Sequence, residues 1–359
     1  MVLTTLSTCM ILRSYGRMRL WHVSWAAVAA LLVACGGESS PADSPDADND
    51  GSTPRPTSTS GATSAPDATA SRPDPSRSLP SAAATVVPAP GTAEFDPEAS
   101  FDVIEYLAEE IGPREGSSEA FDEAADTVQG WFAELGYEVT QVPVPVPAGN
   151  SWGVDVPSGE SANVIAEPPD FDPTEPHVII GAHLDTVPQA PGAEDNASGV
   201  GVMIELARLS ATEPPDLPVR FIAFGAEEPR GDGDDLHHFG SQQYVEDMPA
   251  EEREALAAMV SLDRVGVPAD HVPVCTAGTG GTDIQDALVD AAEDAGVPTE
   301  TCENRASDHW SFEKADLPSA RLGSVSFAGY HSPDDVPSVI DTGQLAWVGS
   351  IMWAWLSSS

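Results

Sequence analysis

The sequence predicts an α/β fold: a doubly wound, mostly parallel central sheet flanked by helices, in a single domain over residues 96–359. Two observations carry that reading. Helical patterns such as FDVIEYLAEEI, GVMIELARL and IQDALVDAAEDAG alternate with short apolar segments of strand character, the order expected of helices crossing over a sheet. Several of those segments end on histidine, aspartate or glutamate, and an open α/β sheet carries its chemistry at the carboxyl ends of its strands.

What precedes the domain is of another kind. Arg13, Arg17 and Arg19 come before WHVSWAAVAALLVAC, a basic region followed by an apolar run too short for a comfortable membrane span. Residues 1–35 therefore read as a signal peptide. Met18 opens a complete short signal by itself, and Leu32-Val33-Ala34-Cys35 looks like a bacterial lipobox, in which the cysteine is lipidated. An ordinary cleaved signal near Ala34 is the alternative. The expectation is an extracytoplasmic protein, anchored to a bacterial membrane by lipid at Cys35. Residues 36–95 are rich in Pro, Ser, Thr, Ala and Gly, too poor in apolar groups to pack a core, and are expected to form a disordered tether.

The elements of the domain deliver candidate ligands in order. The segment IGAHLDTVPQAPGAEDNASGV ends an apolar strand on His183 and Asp185, whose alternation points both to one side. Asp195 follows, just before the helix GVGVMIELARL. The strand and loop VRFIAFGAEEPR end on Glu227 and Glu228, AAMVSLDRVG delivers Asp263, and GYHSPDD brings His331 after the apolar segment around Leu322 to Phe327. Singly, each is unremarkable: a surface histidine, a solvated acidic pair, a histidine in a turn. Their joint appearance after successive strands indicates metal, because imidazole and carboxylate are ordinary zinc ligands and the set suits a pair of zinc ions, with one carboxylate bridging. Gathering five carboxylates in one cleft without cations is also unfavourable unless several protonate.

The order His-x-Asp, Asp, Glu-Glu, Asp and a late His resembles metallopeptidase family twenty-eight, the dizinc aminopeptidases with their carboxypeptidase and glutaminyl cyclase relatives. The resemblance extends from about Asp96 to Ser359 and includes GPREGSSEAFDEAADTVQGWFAELGYEV, similar to the family's first helices and strand. It implies the zinc exopeptidase fold and two Zn2+ ions. By motif position, His183, Asp195 and Asp263 would hold one ion, and Asp195, Glu228 and His331 the other. Asp185 would orient His183 through a hydrogen bond. Glu227 would be the general base and Tyr330 would help to stabilise the oxyanion. The implied activity is peptide-bond hydrolysis, most simply release of N-terminal residues. A carboxypeptidase, a cyclase on the same scaffold and a non-catalytic surface-binding lipoprotein are the alternatives. The lidded dizinc carboxypeptidases and deacylases are disfavoured because the interval from Asp263 to His331 is too short for their inserted domain.

Some segments depart from the pattern. The acidic stretch PRGDGDDLHHFGS, with Asp232, Asp234, Asp235, His237 and His238, reads as a solvated loop bordering the cleft, and Arg230-Gly231-Asp232 within it as chance. Arg264 stands where an apolar residue is expected, and a cation there would repel an amine or attract a carboxylate. Ser307-Asp308-His309 would either support the site or begin a helix capped by Ser307. Cys275 and Cys302 are the two cysteines outside the leader. Beyond the cytoplasm they would form a disulfide, or else stay as two buried thiols.

Charge limits the partners. Residues 96–359 hold 50 Asp and Glu against 9 Lys and Arg, a formal −41, and Lys314 is the only lysine in the chain. Nucleic acid would be repelled. Oligomeric state is not legible from the sequence. A strongly acidic, lysine-poor surface suits an ionically demanding setting, with compositional drift as the alternative. Activity and melting temperature should then both rise as salt is added; flat responses would leave only drift.

Overall fold

The computed structural model describes residues 94–358. The expected signal peptide, and the tether apart from Glu94 and Phe95, lie outside the described residues. In chain order the strands are β1 (Glu138–Val146), β2 (Gly149–Ser151), β3 (Val154–Val156), β4 (Gly159–Glu167), β5 (His177–His183), β6 (Val219–Phe224), β7 (Leu256–Leu262), β8 (Val272–Thr276), β9 (Thr299–Glu303) and β10 (Ser319–Leu322). The helices are α1 (Pro97–Glu105), α2 (Glu119–Glu134), α3 (Ser198–Thr212), α4 (Phe239–Asp247), α5 (Ala250–Ala255), α6 (Asp283–Ala295), α7 (His309–Glu313) and α8 (Thr342–Leu356).

Eight strands form one sheet in the order β1-β4-β6-β5-β7-β10-β8-β9, while β2 and β3 make a separate hairpin. The middle of the sheet, β6-β5-β7-β10, is parallel. Antiparallel pairs join β1 to β4, β4 to β6 and β10 to β8. The expected doubly wound, mostly parallel architecture is therefore present, with antiparallel strands towards its margins.

Period-two alternation sorts the strand residues onto two faces. Val178, Ile180 and Ala182 of β5 share a core with Phe221 of β6, Val260 of β7 and residues of α1, α2, α3, α6 and α8. Ile179, Ile222, Phe224 and Met259 face the other way, against Val245 of α4 and Phe312 of α7. Residues 177–183 and 219–224 are buried throughout, as expected of strands covered on both faces. Helix α3 is buried from Ser198 to Ser210, so its continuous apolar pattern reflects a helix in the centre of a layer.

Local chemistry sets several helix boundaries. Asp96 caps α1 by accepting from the amides of Glu98 and Ala99, with Pro97 at the first helical position. Ser118 caps α2 and Asp341 caps α8 in the same manner. The apolar segment expected as strand through Phe327 instead ends at Leu322. Gly323 has φ +110°, which turns the chain out of the sheet and frees the following residues for the loop that carries His331.

The strand order reverses around β5. The connection through α3 leads to β6 on one side, and the next, through α4 and α5, leads to β7 on the other. That reversal opens a crevice at the carboxyl ends of these strands, where His183, Glu227 and Asp263 emerge.

Cys275 and Cys302 form a disulfide between registered neighbours on β8 and β9. It encloses α6 and spans a sequence separation of 27. In the chain-entropy description such a loop contributes roughly 3–4 kcal/mol. A Cys275→Ala/Cys302→Ala variant should lose about that much in equilibrium denaturation; an unchanged midpoint would remove the disulfide from the stability account.

Candidate active site

His183, the last residue of β5, is nearly fully buried. Its Nε2 lies 3.2 Å from Asp195 Oδ1 and 3.9 Å from Asp263 Oδ2. The other oxygen of Asp195, Oδ2, is 3.0 Å from His331 Nε2, which is also 3.3 Å from Glu228 Oε1. Asp195 thus offers one carboxylate oxygen to each histidine.

The structure brings every sequence-predicted ligand and base into this crevice. His183, Asp195, Glu227, Glu228, Asp263, Tyr330 and His331 all line one cleft, with Arg264 among them. Asp185 is buried beneath it.

The hydrogen bond expected between Asp185 and His183 is present, through the main chain and not the carboxylate. His183 Nδ1 donates to the main-chain carbonyl of Asp185, 3.1 Å away, while the Asp185 carboxylate stands 3.8 Å from that nitrogen. The carboxylate instead accepts the amides of Glu227 at 2.9 Å and Glu228 at 3.1 Å. One residue therefore orients the imidazole through its backbone and pins the acidic turn after β6 through its side chain.

Each remaining acid has its own support, drawn from residues the sequence did not single out. Arg321 Nη2 on β10 is 3.0 Å from Asp263 Oδ1, and Nη1 donates to Ala306 O at 2.7 Å. The Asp335 carboxylate accepts the amides of Glu194 and Asp195 at 2.7 and 3.1 Å. Asn196 Nδ2 donates to Leu262 O at 2.9 Å, and its Oδ1 accepts from Gly199 and Arg264, joining the loop to the end of β7. Arg114, fully buried, donates to the carbonyls of Leu107, Gly112, Leu184, Pro191 and Gly192. Two of these had a visible signal: Arg321 interrupts the short apolar run SARL, and Asp335 lies four residues beyond His331 in HSPDD.

The acidic loop after β6 is only partly the solvated segment expected. Asp232, Asp234 and Asp235 are exposed, but His238 is buried and its Nε2 lies 2.8 Å from Glu227 Oε1. Arg230 is buried as well, reaching Pro147 O, Pro157 O, Glu115 and Ser117. Arg230 is thus a clasp between segments, while Asp232 of the same triplet is exposed. Of the two readings of Ser307-Asp308-His309, the helix capped by Ser307 is not the one that forms. Asp308 occupies the cap position of α7 without a capping bond, and Ser307 Oγ pairs with Ser261 Oγ at 2.8 Å.

Electrostatics reflects the crowding. Burial pushes Glu228 up to about 8 and Asp185 up to about 6. Burial also opposes ionisation of Asp195, yet hydrogen bonds from His183 and His331 hold it well below the ordinary carboxylate range. For Glu227 burial is again outweighed, by the charges of His183 and His238, which bring it down to about 2 and leave it ionised at neutral pH. Burial likewise disfavours protonation of both histidines, but the surrounding acids win, lifting His331 to about 10 and His183 well above its usual value. As protein groups alone, the crevice draws cationic charge to itself.

The donors fit metal. Two groups, His183 with Glu227 and Asp263, and Asp195 with Glu228 and His331, each converge to within 4.8 Å. Imidazole and carboxylate are zinc donors, and Glu228 Oε1 is buried without a hydrogen-bond donor. Glu227 joins the first group although the family pattern sets it aside as base, and Asp195 lies between the groups.

Comparison with known proteins places these observations in context. The model of peptidase family M28 matches residues 163–356. Aminopeptidase YwaD of Bacillus subtilis is 33% identical over 187 residues, covering 49% of this chain and 40% of that protein. The chain thus spans well under two thirds of that relative's length. Among solved structures, the zinc aminopeptidase BSAP from Bacillus subtilis superposes with TM-score 0.65 at 20% identity, over 74% of this chain and 95% of that one. A glutaminyl cyclase from Bacteroides thetaiotaomicron superposes with TM-score 0.63 at 20% identity, over 74% and 99%. These structural likenesses establish the fold.

Arg321 supports Asp263 with a planar fork that an ammonium group cannot reproduce. Arg321→Lys should cost roughly 1.5–3 kcal/mol in denaturation of the chelated protein, the value of a hydrogen bond to a charged group. Zinc affinity, read by competition with a chromophoric chelator, should weaken about 10–100-fold. Unchanged affinity would show that Asp263 needs no such support.

Proposed function

Because the chain belongs to peptidase family M28, we propose that it is a zinc-dependent exopeptidase that releases N-terminal residues from peptides. The observation that carries this reading is the Asp195 carboxylate, with one oxygen directed to His183 and the other to His331. That is the disposition of a carboxylate shared between two metal ions. His183, Asp195 and Asp263 would hold one zinc, and Asp195, Glu228 and His331 the other. Zinc held there would make a nearby water more acidic and would polarise the carbonyl to be cleaved.

The chain's own residues do the rest. Glu227, ionised and facing the cleft, accepts the proton of the attacking water and returns it to the departing amine. His238 holds Glu227 Oε1 at 2.8 Å, and Asp185 fixes the Glu227 backbone. Tyr330 is stacked on His331, with ring centroids 3.6 Å apart, and the Arg264 guanidinium lies 4.4 Å from the Tyr330 centroid. We assign its hydroxyl to the developing oxyanion.

Arg264 bears on which terminus is cut. Its guanidinium is engaged by Ser324 Oγ and the Tyr330 ring and lies 3.8 Å from Asp263 Oδ1. A cation so committed offers little to a substrate carboxylate. The acids around it favour an α-ammonium group, which supports N-terminal release over carboxypeptidase action. The Cys35 lipobox and the long polar segment after it support a lipid-anchored, extracytoplasmic enzyme that meets peptides outside the cytoplasm.

The direct test is amino-acid release from a mixed peptide panel by the purified protein, with chelator and with zinc restored. N-terminal release that stops on chelation and returns with zinc is expected. C-terminal release would overturn the assignment of terminus, and N-terminal glutamine cyclisation without hydrolysis would support the cyclase. Glu227→Gln should lower turnover by roughly 10²–10⁴-fold while elemental analysis finds the metal content unchanged; retained turnover would sink Glu227 as the base.

A further inference from the structure

The hairpin of β2 and β3 turns through two residues, Trp152 and Gly153, with φ of +46° and +89°. Two positive φ values are the mark of the tight turn that matches strand twist, a turn that favours asparagine, aspartate or glycine at its first position. Tryptophan is a poor choice there, because a bulky side chain in the left-handed region is strained. Nor is the indole placed there to be buried: Trp152 is 54% exposed, the most exposed large apolar side chain among the described residues.

What the position provides is an orientation. The indole stands edge-on to His331, with centroids 4.3 Å apart, and 5.8 Å from Tyr330, and it lines the cleft. The hairpin beneath it is well anchored. Asn150 N donates to Arg230 O at 3.0 Å, Asn150 Oδ1 accepts from Gly153 N at 2.9 Å, and Asn150 Nδ2 reaches Asp155 at 2.9 Å. Arg230 in turn donates to Pro147 and Pro157, the residues that flank the hairpin. Gly149 has no room for a side chain, since a Cβ would meet Arg230 O at 1.9 Å. An exposed aromatic on a fixed support at the mouth of a polar cleft is pre-ordered for contact with something apolar.

We propose that Trp152 is a specificity-determining residue, forming an apolar wall that selects peptides whose terminal residue carries a large aliphatic or aromatic side chain. This rests on the exopeptidase reading of the same cleft. The polar crevice beneath Trp152 holds the terminal amine and scissile carbonyl, while the indole covers the side chain and excludes water from it.

Trp152→Asn gives the turn a residue it favours, so the variant should melt no lower than the unaltered protein. In the zinc-loaded protein, calorimetric binding of L-phenylalanine amide should weaken roughly tenfold or more, the size of a lost apolar pocket contact, with L-alanine amide changed less than twofold. In hydrolysis, kcat/KM for Leu- and Phe-terminated peptides should fall by a similar factor, mainly through KM, while Ala-terminated peptides are spared. Equal loss for both amides, or loss for neither, would overturn the proposal. If the unaltered protein binds the amides with the expected preference yet releases nothing from any peptide, the exopeptidase reading fails and the role of Trp152 in binding stands.

Discussion

Repulsion among carboxylates at the ends of β5, β6 and β7 is the constraint that the surrounding structure answers. Asp185, Asp195, Glu227, Glu228 and Asp263 are all buried, where water cannot screen them and each uncompensated charge is costly. The fold meets this with a dedicated partner for nearly every group. Backbone amides take Asp185, Arg321 takes Asp263, His238 takes Glu227, and His183 and His331 share Asp195. A divalent cation would relieve what is left of the repulsion, and the donors stand where cations would be held.

This arrangement divides labour between strands and loops. The parallel strands are apolar and covered on both faces, which makes them rigid platforms. The connections that leave their carboxyl ends carry irregular backbone. Arg114 donates to the carbonyls of Leu184, Pro191 and Gly192 in the connection after β5 and ties them to those of Leu107 and Gly112 ahead of α2, giving partners to carbonyls of irregular backbone. Residues with positive φ gather there too, including Ala226, His238, Arg264 and His331. The same loops that carry the chemistry also carry the strain, held in place by the sheet below and by Arg114, Asn196 and Asp335 around them.

The cleft also has an asymmetric wall. One part is polar and charged, built from acids with paired cations; another is aromatic, with Tyr330 in contact with Arg264 and His331 and with Trp152 edge-on to His331. A ligand with a charged end and an apolar side chain would match both parts, as the terminal residue of a peptide does. The long acidic loop after β6 contributes to each part. His238 reaches Glu227 from it, and Arg230 secures the hairpin that presents Trp152.

The sequence alone carried the fold class and the identity of the crevice residues. Alternating helical and apolar segments require a layered sheet whatever the details, and His183, Asp195, Glu227, Glu228, Asp263 and His331 are legible because each closes, follows or immediately precedes a local apolar run. The helical stretch FDVIEYLAEEI was legible for the same reason, since its apolar spacing repeats within a few residues along the chain. Tertiary structure decided which group supports which. Arg321 meets Asp263 across 58 residues, Asp335 meets Glu194 across 141, and Asp185, besides its expected bond to His183, proved to hold the Glu227 turn through its carboxylate. It also turned a loop read as solvated into one that buries His238 and Arg230. Periodicity and motif spacing report contacts made within a turn or a strand, whereas the partner of a buried charge is chosen by which distant segment the fold brings within 3 Å.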